Sequence, residues 1–316
     1  MERSGVRCGR KVIELPVKYH YFICDVFTDQ RFGGNQLAVL PDAQKLSDQQ
    51  MQQVAREFNF SETAFVLPAE IGHTRKVRIF TPTTEIPFAG HPNIGTAFVL
   101  AETGALGKEI PSIVVFEEKA GLVSIEFQGD SDAPTWFVLK APQNLTLQEF
   151  PAIGLVANAL SLRENDVVVT THVPTIASVG LPFLFVEVAD LSVLAQVRID
   201  MAGFDRLLVE GAVPYVHVYV PKAGGTDIQA RVFAPLDGVA EDPATGSANC
   251  ALAALLSHYR SERDGEFSWC VFQGIELGRP SVLRIRARKE NGCVVASWVS
   301  GTCVMVSEGW IDVGCS

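Results

Sequence analysis

The chain has 316 residues, a formal net charge of −10 and 47% hydrophobic residues. That size suits a globular protein of two domains, and the negative charge, without a basic stripe, excludes binding to the phosphate backbone of nucleic acids. The seven cysteines are scattered without a C-x-x-C pair, so the sequence predicts neither a disulfide framework nor a zinc site and favours a cytoplasmic protein.

Residues 1–19 are partly basic but lack the apolar core of a signal peptide, so we expect a loose tail. A capping box formed by Ser47 and Gln50 predicts the start of a surface helix. The most apolar stretch, 173–186, is shorter than the roughly 20 residues of a membrane span, so none is predicted. Short β patterns lie at 21–27, 37–40, 113–117, 122–127, 136–139, 183–188, 216–220, 282–287 and 293–299. Many strands with few helices are typical of an α+β fold.

One internal repeat organises the chain. The segment 78–82, RIFTP, reappears as RVFAP at 231–235. A few residues later, HPNIGTA at 91–97 is echoed by DPATGSA at 242–248. Two matches in the same order predict two related halves.

Each echo continues into an apolar helix, predicted from residue 93 to about 102 and from about 247 to 258. Gly104 is well placed to end the first helix in the left-handed conformation. Because these helices are apolar nearly all round, each must be surrounded by protein, which indicates strands wrapped around a central helix. We place the first domain at 20–141 and the second at 142–316, with the last strand able to return to the first domain.

The two helix starts, facing each other across a cleft, would offer unpaired backbone N–H groups to a small carboxylate. Gly95 and Gly246 would let a ligand approach the backbone closely. His91 and Asp242 each stand next to such a turn, and Glu62 lies in a polar trio before a strand. These three residues are therefore candidates for acid–base chemistry.

Each candidate also has a simpler structural explanation. Glu62 could be solvated, His91 could serve as a structural hydrogen-bonding group, and Asp242 could be only a helix N-cap. Ser247 could form a local hydrogen bond in the first helical turn. The symmetric placement of the groups favours the functional interpretation.

A family resemblance strengthens the functional interpretation. The motifs that carry the resemblance are FGGNQLAV at 32–39, NFSETAF at 59–65, RIFTP at 78–82, EIPFAGHP at 85–92, EDPATGSA at 241–248, and QG at 273–274 followed by GRPS at 278–281. Together they resemble the PhzF-like (phenazine biosynthesis) family, which has the diaminopimelate-epimerase-like fold. The resemblance implies two similar domains, each a mixed β-barrel around a central helix, with the active site in the interdomain cleft. It also implies a homodimer and no cofactor.

Carried over by motif, Glu62 matches the family's catalytic acid–base. The positions that match groups lining the same cleft are Asn35, Gly90, His91, Asp242 and Ser247. Related epimerases use a cysteine at each helix start, but no thiol stands at either start here. Cys250 lies within the second helix and is expected in the core, so carboxylate or imidazole chemistry must replace the thiols.

We therefore expect an isomerase in which Glu62 removes a proton beside an unsaturated or carboxyl-bearing carbon and returns it elsewhere on the same small carboxylate. Asp242 and His91 would orient the substrate or relay protons. A lyase or hydratase using the same base, and a non-catalytic ligand- or protein-binding member of the fold, remain alternatives. No dinucleotide or P-loop motif is present.

Overall fold

The computed structural model describes residues 17–130, 133–222 and 227–314. It has a mixed α/β fold in which a large mixed sheet is accompanied by few helices, as the strand-rich sequence pattern predicted. The expected loose tail falls outside the described residues up to position 16, and its last two residues, Lys18 and Tyr19, lie in the first strand. Across the described ranges, no helix has the length and apolarity needed to cross a bilayer.

The strands of the first half are β1 (Lys18–Val26), β2 (Asn35–Leu40), β3 (Glu62–Leu67), β4 (Arg75–Phe80), β5 (Glu85–Ile86), β6 (Ile113–Glu118), β7 (Gly121–Asp130) and β8 (Ala133–Lys140). Those that follow are β9 (Thr146–Glu149), β10 (Val167–Val168), β11 (Thr175–Ser178), β12 (Pro182–Val188), β13 (Val216–Pro221), β14 (Asp227–Ala234), β15 (Val239–Asp242), β16 (Gly265–Gln273), β17 (Ser281–Glu290), β18 (Cys293–Gly301) and β19 (Cys303–Asp312).

The helices are α1 (Asp48–Phe58), α2 (Gly90–Glu102), α3 (Ile153–Ala159), α4 (Leu191–Gln196), α5 (Met201–Val209) and α6 (Gly246–His258), with short 3₁₀ turns at Glu164–Asp166 and Pro235–Asp237. The predicted capping box of α1 is confirmed, because Ser47 and Gln50 bond reciprocally. Gly104 follows α2 with φ of 69°, the predicted left-handed stop.

Strand pairing repeats between the two halves. In the first, β2–β3 is parallel, β3–β4 antiparallel, β4–β6 parallel, and β6–β7 and β7–β8 antiparallel. Strands β12, β13, β14, β16, β17 and β18 repeat that series of pairings in the same order. The halves are joined where β8 pairs with β18, and β19 pairs with β1. The internal repeat of the sequence is therefore a repeat of topology.

Two matched ion pairs fix the register of the repeat. The guanidinium of Arg78 donates two hydrogen bonds to the Glu85 carboxylate, of 2.8 and 2.7 Å. The guanidinium of Arg231 donates to both carboxylate oxygens of Glu241 in the same geometry, again with hydrogen bonds of 2.8 and 2.7 Å. Because each arginine is the first residue of its echo, Glu85 and Glu241 occupy equivalent positions in the two halves.

The helix starts extend the same register. The amide of Asn93 donates to Ala89 O and the amide of Asn249 donates to Thr245 O, both at 2.9 Å. Each asparagine is the fourth residue of a helix that begins with glycine, so His91 corresponds to Ser247.

The sequence alignment that placed His91 opposite Asp242 is therefore wrong. The true counterpart of Asp242 is Ile86, and Pro87 corresponds to Pro243. Both His91 and Asp242 precede a proline, and this local likeness concealed the offset between the segments. At this equivalent position, one half therefore has a carboxylate and the other has an aliphatic side chain.

Helices α2 and α6 lie in the core, as predicted. Every residue of α2 from Gly90 to Ala101 is buried, and α6 is buried almost as completely. A Cβ on Gly95 would lie 2.6 Å from Leu37 Cδ2 and 2.8 Å from Val26 Cγ2, so this glycine allows α2 to approach β1 and β2. Cys250 is buried in the core, as expected for its place within the second helix.

Candidate active site

The first residues of α2 and α6 meet at close range. A Cβ on Gly90 would lie 2.8 Å from Ser247 N and 2.9 Å from Gly246 Cα, and a Cβ on Gly246 would lie 3.2 Å from Gly90 Cα. Only glycine allows this contact. The first backbone N–H groups of a helix have no partner within the helix and carry its positive dipole end, so two such ends converge here.

Asp242 is held beside these helix starts by three donors. Its Oδ1 accepts hydrogen bonds from Asn35 Nδ2 at 2.9 Å and from the Ser61 hydroxyl at 2.8 Å, and its Oδ2 accepts from the Thr245 hydroxyl at 2.6 Å. Burial nevertheless raises the pKa of Asp242 above its usual range, against these hydrogen bonds and with the help of the Glu241 charge. The carboxyl group is therefore fixed in position, and it keeps a proton to higher pH than an exposed aspartate does.

His91 lies on the other side of Asn35, whose amide nitrogen is 3.2 Å from His91 Nδ1. That nitrogen can only donate, so the contact is a hydrogen bond in the tautomer that has its ring proton on Nε2. Complete burial lowers the pKa of His91 to about 3, so the ring is neutral. The same amide also donates to Ala244 O at 2.9 Å. Its two hydrogens therefore serve three acceptors, of which His91 is the most distant.

Glu62, the first residue of β3, faces His91. Its Oε2 lies 3.5 Å from His91 Nε2, and neither atom has a hydrogen-bond partner among the described residues. Burial first, and then the charges of Asp242 and Asp237, raise the pKa of Glu62 well above its usual range. Because the pKa of His91 is shifted downward, the close approach is not an ion pair. Glu62 thus has an unpaired oxygen, and its carboxyl group keeps a proton to higher pH than an exposed glutamate does.

These groups open onto one cavity of about 350 Å³. The residues that line it are Ser61, Glu62, Thr81, Ile86, Pro87, Phe88, Ala89, Ala120, Pro142, Gln143, Gly180, Leu181, Phe183, Tyr215, Val232, Ala234, Asp237, Val239, Asp242, Thr245 and Ser247. Both halves contribute to the lining, which is largely apolar with few polar groups, as ligand sites usually are. None of these lining residues is a lysine or an arginine.

The structure brings most of the predicted site residues together. Glu62, Asp242 and Ser247 line the cavity. Asn35 and His91 stand behind it in contact with Asp242 or Glu62, and Gly90 lies at the helix contact.

The other two predicted glycines do not line the cavity. Gly95 packs against β1 and β2, and Gly246 packs against Gly90 and Phe27. At both glycines, neighbouring protein atoms occupy the space that a side chain would fill.

Known proteins resemble this chain in sequence and in fold. The phenazine biosynthesis-like protein family, PhzC-PhzF, matches residues 24–309. The chain belongs to this family. Over 299 residues it is 36% identical to an uncharacterized isomerase of Mesorhizobium japonicum, covering 92% of this chain and 97% of that protein. It is 32% identical to the trans-2,3-dihydro-3-hydroxyanthranilate isomerase of Pseudomonas chlororaphis, covering 93% and 99%.

A solved structure shows the same PhzF fold. The phenazine biosynthesis protein of the PhzF family from Bacillus anthracis superposes with a TM-score of 0.83 at 25% identity, covering 93% of this chain and 99% of that one. The resemblance seen in the motifs is thereby confirmed. Within the described residues, no group of His, Cys, Asp and Glu side chains is arranged to hold a metal ion.

Several residues of the PhzF-like site were missed by sequence reasoning. Gln273 was noted only as part of a motif, yet its amide donates to Asp242 O at 2.8 Å and to the Thr245 hydroxyl at 3.0 Å, which fixes the start of α6. Tyr215 and Asp237 line the cavity and were not singled out. Only the strand register of the repeat, which the sequence alone did not provide, would have identified Tyr215.

Proposed function

We propose that this PhzF-like protein is a cofactor-independent isomerase that moves a proton between two carbons of a small carboxylate, with Glu62 as the acid–base. The observation that carries the proposal is the unpaired Glu62 Oε2 in an apolar cavity beside two helix starts. The names of the relatives support the proposal, because two of them are named isomerases, one of them a trans-2,3-dihydro-3-hydroxyanthranilate isomerase.

The raised pKa of Glu62 makes its carboxylate a stronger base than an exposed one. In the first step, Glu62 takes a proton from a substrate carbon while the C–H electrons pass into the adjoining double bond or carboxyl group. In the second, the same proton is delivered to another carbon and the double bond moves accordingly. No atom is gained or lost overall.

The remaining groups of the site would position the substrate. The backbone N–H groups at the starts of α2 and α6, including that of Ser247, would hold the substrate carboxylate and stabilise developing negative charge. Neutral His91 would donate from Nε2, either to Glu62 or to the substrate. Asp242, fixed by three donors, would orient the substrate or relay a proton.

We also propose that β1–β8 with β19 form one domain, the strands and helices from about residue 142 to β18 form the second, and the cavity lies in the cleft between them. Each domain would be a barrel around its central helix. A homodimer, implied by the family resemblance, completes the proposal and is tested by light scattering of the purified protein.

The experiment is proton NMR in D₂O with trans-2,3-dihydro-3-hydroxyanthranilate and a panel of small amino and hydroxy carboxylates. An isomerase yields a product of unchanged composition with the hydrogen moved or exchanged. Release of water or ammonia would instead identify a lyase. Absence of turnover and exchange across the panel would contradict the proposal and favour a binding protein.

A further inference from the structure

The register of the repeat gives Glu118, the last residue of β6, a counterpart in the second half. In each half, the residue two positions before the arginine of the echo pairs with a strand that runs parallel to it. Its partner is Glu117 in the first half and Phe272 in the second. The residues that follow these partners are equivalent as well, so Glu118 corresponds to Gln273.

Gln273 holds the start of α6 in place. Its Oε1 accepts hydrogen bonds from Asn249 Nδ2 at 2.8 Å and from the Thr245 backbone N–H at 3.2 Å. Its Nε2 donates to Asp242 O at 2.8 Å and to the Thr245 hydroxyl at 3.0 Å. One neutral side chain thus serves as an acceptor toward the helix and as a donor toward β15.

The first half keeps only part of this arrangement. Asn93 again stands at the fourth position of the helix, but Ala89 replaces the threonine, and its methyl group offers no hydrogen bond. Ile86 replaces the aspartate, although its backbone carbonyl remains. Pro87 O accepts a hydrogen bond from Ala120 N at 3.2 Å, which holds this segment beside the end of β6.

The carboxyl group of Glu118 is buried here without a partner. Among the described residues, neither of its oxygens has a hydrogen bond. Burial raises the pKa of Glu118 to about 8, with the Asn93 amide opposing the shift, so the group holds its proton at neutral pH. A neutral carboxylic acid has a donor and an acceptor oxygen, which is the hydrogen-bonding capacity that Gln273 uses in the other half.

The charged and titratable groups around Glu118 are engaged elsewhere. On the neighbouring strands and the start of α2 they are Glu117 and Lys119 on β6, Arg75, Lys76 and Arg78 on β4, Glu85 on β5, Glu126 on β7, Glu62 on β3 and His91 on α2. The cations of β4 and β6 bond to other carboxylates or to backbone carbonyls. The carboxylate preceding Glu118 accepts three backbone hydrogen bonds, and Glu62 lies against His91.

We propose that Glu118 is a positioning residue of the active site, which in its neutral form fixes the start of α2 as Gln273 fixes the start of α6. One oxygen faces the amide of Asn93, and the hydroxyl donates to the carbonyl of Ile86, so that His91 is held in place. Loss of the proton removes this donor and places a negative oxygen against a carbonyl oxygen, which releases the helix start. The inference rests on the proposed function for the reaction that it affects.

The first test follows the side-chain amide signals of Asn93 and Asn249 by ¹⁵N NMR between about pH 6 and about pH 10, without substrate. In wild type, we expect the Asn93 signal to shift with a midpoint at about pH 8 and the Asn249 signal to stay constant. Glu118→Gln should abolish the shift. Glu62→Gln should keep it, which excludes Glu62 as its source.

The reverse exchange, Gln273→Glu, is the matched variant in the second half. It should make the Asn249 signal titrate in the alkaline range. A constant Asn93 signal in wild type, an equal shift in Glu118→Gln, loss of the shift in Glu62→Gln, or a constant Asn249 signal in Gln273→Glu would overturn the inference. If Gln273→Glu does not fold, the comparison of Glu118→Gln with Glu62→Gln carries the test.

The second test is the pH dependence of turnover. Wild type should lose kcat above about pH 8, whereas Glu118→Gln, which offers a donor and an acceptor at every pH, should not. Glu118→Leu removes both and should lose about tenfold or more in kcat at neutral pH, with KM changed by less than about threefold. A folded Glu118→Leu protein with wild-type kcat, or the same alkaline loss in Glu118→Gln, would overturn the positioning role.

The two proposals fail separately. The titration of the Asn93 signal needs no substrate, so it decides whether Glu118 fixes the helix start even when no compound is turned over. Absence of turnover in wild type would contradict the proposed isomerase. An active isomerase whose Asn93 signal does not respond to Glu118 would contradict only the present inference.

Discussion

The contact between the two helix starts predicts a large effect from one methyl group. In Gly90→Ala, the new Cβ would lie 2.8 Å from Ser247 N, 2.9 Å from Gly246 Cα and 3.0 Å from Gly246 C. Ordinary contact requires about 3.5 Å, so the helix starts must separate by roughly 0.7 Å. All three atoms are backbone, so no side-chain rotation can relieve the clash.

The expected change in stability follows from two opposing effects. Overpacking of this kind costs about 1–3 kcal/mol, whereas replacing glycine by alanine stabilises by about 0.4–1 kcal/mol through the unfolded chain. The net loss is on the order of 1–2 kcal/mol, which lowers the Tm by roughly 2–8 °C. Because the same movement displaces Ser247 from the substrate carboxylate, we expect a rate loss of about 100-fold.

The assay combines thermal unfolding with the NMR rate, and Gly154→Ala is the matched control. A Cβ on Gly154 would meet only the side chain of Glu164, whose flexible end places Oε1 at 2.7 Å. We expect the control to keep both Tm and rate. A Gly90→Ala protein with wild-type Tm and rate would refute the reasoning, as would equal losses in both variants.

Three further variants test the buried polar groups. Burial raises the pKa of Glu118 to about 8, with the Asn93 amide opposing the shift, and the unfolded value is about 4.3. The contribution of Glu118 to stability should therefore fall as pH rises between these values. Urea titrations at pH 5 and 8 should show a smaller loss of stability in Glu118→Gln than in wild type, whereas equal losses would contradict the prediction. His91 has a pKa of about 3 when folded and about 6.5 when unfolded, so the free energy of unfolding should fall as pH drops from about 6.5, by up to about 1.4 kcal/mol per pH unit. In His91→Gln this acid-side fall should be shallower, and equal falls in the two proteins would argue against a neutral buried ring. Asn35 is 1% exposed and bridges Asp242, Ala244 O and His91. Asn35→Leu should reduce the free energy of unfolding by about 1–3 kcal/mol. A loss below about 0.5 kcal/mol would show that these hydrogen bonds contribute little.

Much of the fold could be predicted because its signals are local. The capping box at Ser47 is a short pattern with one physical meaning, and the all-round apolar helices admit no surface position. Other elements escaped prediction, among them the long strands β16 and β19 and the short helix α3. Helices α4 and α5 did carry a readable signal, since Asp190 and Asp200 cap them through side-chain hydrogen bonds of 2.9 and 2.6 Å.

The candidate site shows where sequence reasoning ends. Glu62, His91 and Asp242 could be named because each stands in a distinctive motif. Their equivalent positions in the two halves could not be assigned from the sequence, because the offset between His91 and Asp242 becomes visible only from strand register and helix starts. Tyr215 follows an unremarkable loop and meets Asp237 only when β13 and the turn after β14 fold together.

The central claim is that Glu62 carries the proton. Its most direct test compares Glu62→Gln with Glu57→Gln in D₂O, following deuterium in the substrate by NMR. Glu57 is an exposed carboxylate near the end of α1, so the control loses a similar group outside the cavity. We expect Glu62→Gln to lose about 10²–10⁴-fold in exchange and turnover while still binding the substrate, and Glu57→Gln to remain unchanged. A Glu62→Gln protein that exchanges at the wild-type rate would contradict it.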